Sequence, residues 1–330
     1  MKRKIIFMLL AMSAVIVVSG CGNPQKVTVQ TPAGQHEQQP PAGQPSETKE
    51  DVLDQFKLLT AQAKDAAEVI RFLDEKMPGA TPKQADQLIL ELEHFYDRYL
   101  PSLNDNFDTM LAKPETAQNM NEIGYPMDVN NIKGDDTLKQ WLMDQMAGGL
   151  ALGNTEGMFF WKVDYKALQK YNRYVSTDIR SYLALKALDA EKNYIEDGAL
   201  AVSREELGDR MMKAEYYMIE HPDGLRFKEV LQAYKAYLDT YLTDYRYDAI
   251  DDRTGKLLPD VKKSYRTFVG EHPESKTAII VKKYLEAIER NKDVIYEKGT
   301  GGMQGPLKKD IQSFWDSIDL KVNSLFVPES

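Results

Sequence analysis

Few residue types in this 330-residue chain combine the chemistry and the spacing that a reactive site needs. Its one cysteine is Cys21, so the chain can form neither an internal disulfide nor a thiolate metal cluster. The four histidines, His36, His94, His221 and His272, are scattered without a His-Glu-x-x-His pair or another ligand spacing, and neither a metal nor a cofactor is expected. His36 is most simply solvated. His221 and His272 each precede a proline in a turn, where an imidazole caps a helix end or faces water. Gly299-Thr300-Gly301-Gly302-Met303-Gln304-Gly305 has the glycine content of a phosphate-binding loop. Its spacing fits neither common nucleotide fingerprint and no strand is expected before it, so it reads as a linker. Asp248, Asp251 and Asp252 are close enough in sequence to hold calcium, but the ligand order of an EF-hand is missing, and Asp251-Asp252-Arg253-Thr254-Gly255 reads more simply as a turn. Glu91, Glu156 and Glu220 adjoin apolar residues, the setting in which burial raises a glutamate's pKa for general-acid work in helical muramidases, yet no motif surrounds any of them. No catalytic residue is assigned, and the chain is read as non-enzymatic.

Tyrosine is the one functional side chain that is concentrated. There are 18, most of them between Tyr165 and Tyr247, and Tyr234, Tyr237, Tyr241 and Tyr245 share one helical face. The simpler reading is packing between helices with hydroxyls reaching water. The functional reading is an aromatic-lined groove for a peptide or glycan.

The thiol has a special context. Lys2, Arg3 and Lys4 precede an almost wholly apolar run from Ile5 to Val18, about 14 residues where a spanning helix needs about 20. Val18-Ser19-Gly20-Cys21 follows it. A basic start, a short apolar core and a small-residue cleavage region make a signal peptide, and this one resembles the lipobox signal of bacterial lipoproteins. The resemblance implies cleavage before Cys21, a diacylglycerol on its thiol, and residence at the outer face of the cytoplasmic membrane. Acyl chains on one cysteine would hold the protein there stably, since two chains anchor where one is marginal. Residues 1–20 are then the signal and 21–49 a disordered tether. The tether is rich in Pro, Gln and Gly and poor in large apolar groups, with a coil reach of roughly 30 Å. Such a lipobox and long tether are similar to those of Gram-positive surface lipoproteins.

Removing residues 1–20 takes three cations and no anions away, shifting the net charge from −9 to −12. An acidic body is repelled by anionic headgroups and by nucleic-acid phosphates, so no nucleic-acid partner is expected and the body should stand off the membrane. With 42% hydrophobic and 28% charged residues the remainder has the composition of a globular domain, placed at 50–330 with a possible sub-boundary in the loop 113–134.

The elements that must position any site read as helices. Val52, Phe56, Leu59, Ala63, Ala66, Ile70 and Leu73 form one stripe at helical spacing. Thr81-Pro82-Lys83-Gln84 is a capping box before a second helix, which Pro101 should break or kink. Pro114 to Gly134 reads as loop. Met158-Phe159-Phe160-Trp161 reads as a buried link in preference to a short strand. Asp164 opens a long helical region to about Asn193, and Ser203-Arg204-Glu205-Glu206 caps another helix. Pro306 should start a last helix through Leu325. Tyr217-Met218-Ile219-Glu220-His221-Pro222-Asp223 matches Phe268-Val269-Gly270-Glu271-His272-Pro273-Glu274 about 51 residues later, each a helix end, a turn and a new helix. Over residues 204–296 this resembles tetratricopeptide-type repeats, which implies stacked helical hairpins. The fold expected is all-α. The expected role is binding of a partner protein through a helical surface. A peptidoglycan- or glycan-binding protein or wall hydrolase, and a transporter's solute-binding lipoprotein, are the alternatives.

Overall fold

In the computed structural model, the residues described are 49–327 apart from 197, 244–248 and 300–303. Cys21, the signal sequence, the tether and Tyr245 lie outside them. Helices dominate: α1 (Lys49–Gln62), α2 (Ala66–Lys76), α3 (Pro82–Leu111), α4 (Pro114–Asn121) and α5 (Asp136–Ala147) precede the first strands. The stripe from Val52 to Leu73 belongs to two helices, not one. Asp65, in an extended conformation, accepts the Ala67 N–H and starts α2 afresh. The capping box at Thr81 forms as expected, the Gln84 side chain accepting the Thr81 N–H at 3.1 Å.

One expectation for this half is narrowed and another corrected. Of the break or kink expected at Pro101, the break is excluded, since α3 continues to Leu111. Leu103 and Phe107 anchor the continuation in the core, and Asn104 holds it to a neighbouring strand: its Oδ1 accepts the Trp161 N–H at 2.7 Å and its Nδ2 donates to the Trp161 carbonyl at 3.1 Å. The stretch 113–134 is also not all loop. Proline in the first turn and a first-turn Glu115 start α4, which buries Thr116 and Met120 against α3.

Gly148 and Gly149 end α5 for steric reasons. A Cβ at Gly148 would lie 2.6 Å from the Ala66 Cβ, so the start of α2 rests on bare backbone there. Gly149 has φ +73°, and Tyr96 donates its hydroxyl hydrogen to the Gly148 carbonyl at 2.7 Å. The expected buried link at Met158–Trp161 is instead a strand. β1 (Leu150–Thr155) and β2 (Met158–Val163) pair antiparallel with Thr155 opposite Met158, joined by Glu156 (φ 51°) and Gly157 (φ 85°). A two-residue turn with positive φ at both positions matches strand twist, and the Asn154 side chain supports it by accepting the Gly157 N–H at 3.1 Å. Trp161 is nevertheless buried, packed with Phe107 and Trp141.

From there one order of elements recurs. β1 and β2 lead into α6 (Tyr165–Leu168) and α7 (Thr177–Glu191). β3 (Ile195–Glu196) and β4 (Ala199–Leu200) lead into α8 (Arg204–Glu220) and α9 (Phe227–Leu242). β5 (Ile250–Asp251) and β6 (Lys256–Leu257) lead into α10 (Pro259–Glu271) and α11 (Lys276–Arg290). β7 (Tyr296–Lys298) and β8 (Gln304–Leu307) lead into α12 (Lys309–Asp316) and α13 (Ile318–Phe326). Four times, then, among the described residues, a short antiparallel strand pair precedes two helices, and the structure is mostly helical. The long helix expected from Asp164 is interrupted before Ser176, whose side chain caps α7. Pro306 lies in β8, and Ser317 divides the last helical stretch in two. These elements belong to one compact unit, residues 47–330.

The two Glu-His-Pro turns share a local geometry. His221 and His272 both cap helix ends through their backbones, donating to the Tyr217 and Phe268 carbonyls at 2.8 and 3.0 Å. Their φ/ψ values are similar, −130°/62° and −124°/49°. Each ring rests on the aromatic side chain one turn back, with centroids 5.2 and 4.8 Å apart.

Candidate functional site

The tyrosine face runs along α9 and turns inward. Tyr234, Tyr237 and Tyr241 are at most 1% exposed, so these three pack between helices. An amphipathic helix buries its aromatic stripe, and each buried hydroxyl has found a partner inside. Tyr234 pairs with Thr277 Oγ1 at 2.8 Å, Tyr237 donates to Asp189 at 2.6 Å, and Tyr241 points to the Ser264 carbonyl at a long 3.5 Å. Burial pushes the Tyr241 phenol up to about 12, so it stays neutral.

The other flagged residues are dispersed. Glu91 accepts the Thr60 hydroxyl at 2.7 Å, Glu156 sits in the β1–β2 turn, and Glu220 is exposed at the end of α8. Asp251 accepts the Arg253 and Thr254 N–H groups at 2.9 and 3.1 Å, which holds its carboxyl below the usual range and makes it a turn residue. Asp248 lies outside the described residues, as does most of the glycine-rich segment, whose flanks pair as β7 and β8. No group of three His, Cys, Asp or Glu among the described residues converges to hold a metal ion.

The buried charges are residues the sequence did not single out. Glu93 on α3 accepts hydroxyls from Tyr165 at 2.9 Å and Tyr182 at 2.7 Å, and pairs with Arg226 before α9. Burial and the Glu93 charge push both phenols up, so they remain donors. Arg210 on α8 bridges Asp189 at 2.9 Å and Glu206 at 2.7 Å. Glu215 on α8, 2% exposed, accepts the Lys276 N–H at 2.7 Å, and the Thr277 N–H at 2.8 Å and hydroxyl at 2.6 Å, capping α11 from another helix. Each lies on an apolar stripe, Glu93 between Ile89 and Tyr96, Arg210 between Leu207 and Ala214, Glu215 between Met211 and Met218. That position was the signal available. All three hold elements together, and none faces a cavity described here.

Asp86 is 5% exposed and accepts the Ser176 N–H at 2.8 Å, and desolvation still raises its carboxyl pKa above the usual value. A carboxyl raised on folding contributes stability that is full below the unfolded pKa, near 4, and is lost as pH rises through the folded value. Asp86→Asn keeps an acceptor for Ser176 without the charge. Urea unfolding should therefore show the variant gaining on the parent protein as pH rises from about 4 to 7. A constant difference would mean that Asp86 ionises without penalty.

One of several open clefts, of about 440 Å³, lies between α8 and α10. Tyr241 and Phe268, with ring centroids 5.8 Å apart, lie at its bottom and are almost wholly covered, 1% and 5% exposed. Gly208 brings the helices together at one end, where a Cβ would stand 3.1 Å from the Phe268 ring. Arg204, in the first turn of α8, closes the other side by donating to the Tyr241 carbonyl at 3.0 Å, a cation at the C-terminal end of α9. The rim carries Glu205, Asp209, Asp260, Lys263 and Glu271. None of these five has an ion pair or hydrogen bond from its side chain among the described residues. Ser264 donates its hydroxyl to the Val261 carbonyl of its own helix and is not aimed at His272. The cleft offers charge and apolar contact.

Compared with protein-family models, with curated proteins and with solved structures, the chain matches none.

Proposed function

We propose that this is a lipid-anchored extracytoplasmic protein, held at the outer face of the cytoplasmic membrane through Cys21, whose body binds another protein through a helical surface. The four strand-pair and two-helix units are read as stacked helical hairpins, similar to tetratricopeptide-type arrays, with the α8–α10 cleft as the binding surface. The observation that carries the reading is that cleft, which presents five charged side chains around a concave surface, while the buried charges elsewhere are consumed in holding helices together. Side chains left unengaged around a concave, partly apolar surface favour binding. No helix among the described residues is long and apolar enough to cross a membrane; the anchorage is read from Val18-Ser19-Gly20-Cys21 alone.

Cell fractionation tests the anchor. The native protein should sediment with membranes and incorporate labelled fatty acid, and Cys21→Ala should abolish both, leaving the protein in the medium or envelope fluid. Membrane retention of the variant sinks the lipid anchor. The binding role is tested by photo-crosslinking in cells, with a photoreactive residue at Thr267 in the cleft and another at the exposed Leu58 on α1. A discrete protein adduct should form from Thr267. If neither position yields a protein adduct, the reading fails.

A further inference from the structure

The cleft's charge pattern says what kind of partner fits it, an inference that rests on the protein-binding reading above. Glu205 and Asp209 are one turn apart on α8, a rise of about 6 Å, and Asp260 and Glu271 stand at opposite ends of α10, about 16 Å apart. Against these four carboxylates the rim has one unengaged cation, Lys263, since Arg204 is tied to the Tyr241 carbonyl. The four in the cleft do not converge on one point, which excludes them as a single metal site among the described residues. Their complement is a ligand that carries several positive charges spaced along an extended chain.

We propose that the cleft between α8 and α10 docks an extended basic segment of a partner protein. Lysine and arginine side chains suit it twice over. Their heads reach Glu205, Asp209, Asp260 and Glu271 while their aliphatic stems cover the apolar walls of the cleft between those carboxylates. The acidic charge of the whole chain steers such a segment toward the surface, and the spacing of the carboxylates selects where it settles.

The test uses a fluorescein-labelled peptide of alternating lysine and alanine, with an alternating glutamate and alanine peptide as its counterpart. Fluorescence anisotropy should show saturable binding of the lysine peptide alone, weakening with salt. The triple variant Glu205→Lys, Asp209→Lys, Glu271→Lys should weaken it about tenfold or more, because three of the four attractions at the rim become repulsions. The same three reversals on α3 and α4, Asp105→Lys, Asp108→Lys and Glu115→Lys, change net charge equally and should shift affinity by about twofold at most. Equal weakening by both triples means diffuse attraction to an acidic body and overturns the proposal. Calorimetric binding of spermidine with no binding of the lysine peptide also overturns it, in favour of a small polyamine. Crosslinking separates this inference from the broader reading. The Thr267 adduct should disappear in the cleft triple. An adduct that persists there leaves protein binding intact and removes the basic segment, whereas adducts from Leu58 alone move the binding surface off the cleft.

Discussion

Replacing Arg226 by methionine should cost about 3–5 kcal/mol of unfolding free energy, the range seen when one partner of a buried ion pair is removed. Arg226 and Glu93 have side chains 12% and 7% exposed, and Glu93 also accepts two tyrosine hydroxyls. Without the guanidinium the carboxylate stays buried beside Tyr165 and Tyr182, with no cation to offset its desolvation. Arg226→Met with Glu93→Gln should therefore recover about 1–2 kcal/mol of that loss, because the amide oxygen still accepts from a hydroxyl and carries no charge. Urea unfolding of the two single variants and the double one makes the cycle. A double variant as unstable as the sum of the singles would show that the two groups act independently.

The second large effect is expected at Glu215. Glu215→Ala leaves the Lys276 and Thr277 N–H groups and the Thr277 hydroxyl without their acceptor at the start of α11, inside the protein. Orphaned buried donors cost about 1–3 kcal/mol each when water cannot reach them, so a loss of about 3 kcal/mol is a fair minimum. Glu215→Gln retains one carbonyl oxygen and should lose less. Hydrogen exchange adds a local readout: the Lys276 and Thr277 amides should lose protection before the rest of α11. Unchanged protection at those amides in Glu215→Ala would mean that another group caps the helix.

Both predictions concern residues whose importance the sequence only half disclosed. A charge on an apolar stripe, as at Glu93 between Ile89 and Tyr96, marks a position that needs a partner. It does not say which partner, because Tyr165, Tyr182 and Arg226 lie 72, 89 and 133 residues away along the chain. The tyrosines of α9 show the opposite case. Their shared face was legible, but a stripe of four aromatics looks the same whether it faces a ligand or a neighbouring helix.

What the amino-acid sequence determined by itself is local. Thr81 and Gln84, Ser203 and Glu206, and the two His-Pro turns contain both partners of their hydrogen bonds within a few residues, and they form where their spacing places them. Helical stripes are likewise local, since periodicity needs no distant partner. The context of Cys21 is a reading of the same local kind. Tertiary structure decided the rest. The two-residue strand pairs are too short for a period to show, Pro101 is carried within α3 by contacts to β2 and the core, and the α8–α10 cleft exists only because Gly208 and Phe268 let two helices meet. Each depends on groups brought together from far along the chain, and their free energy appears only when the intervening segments have already packed.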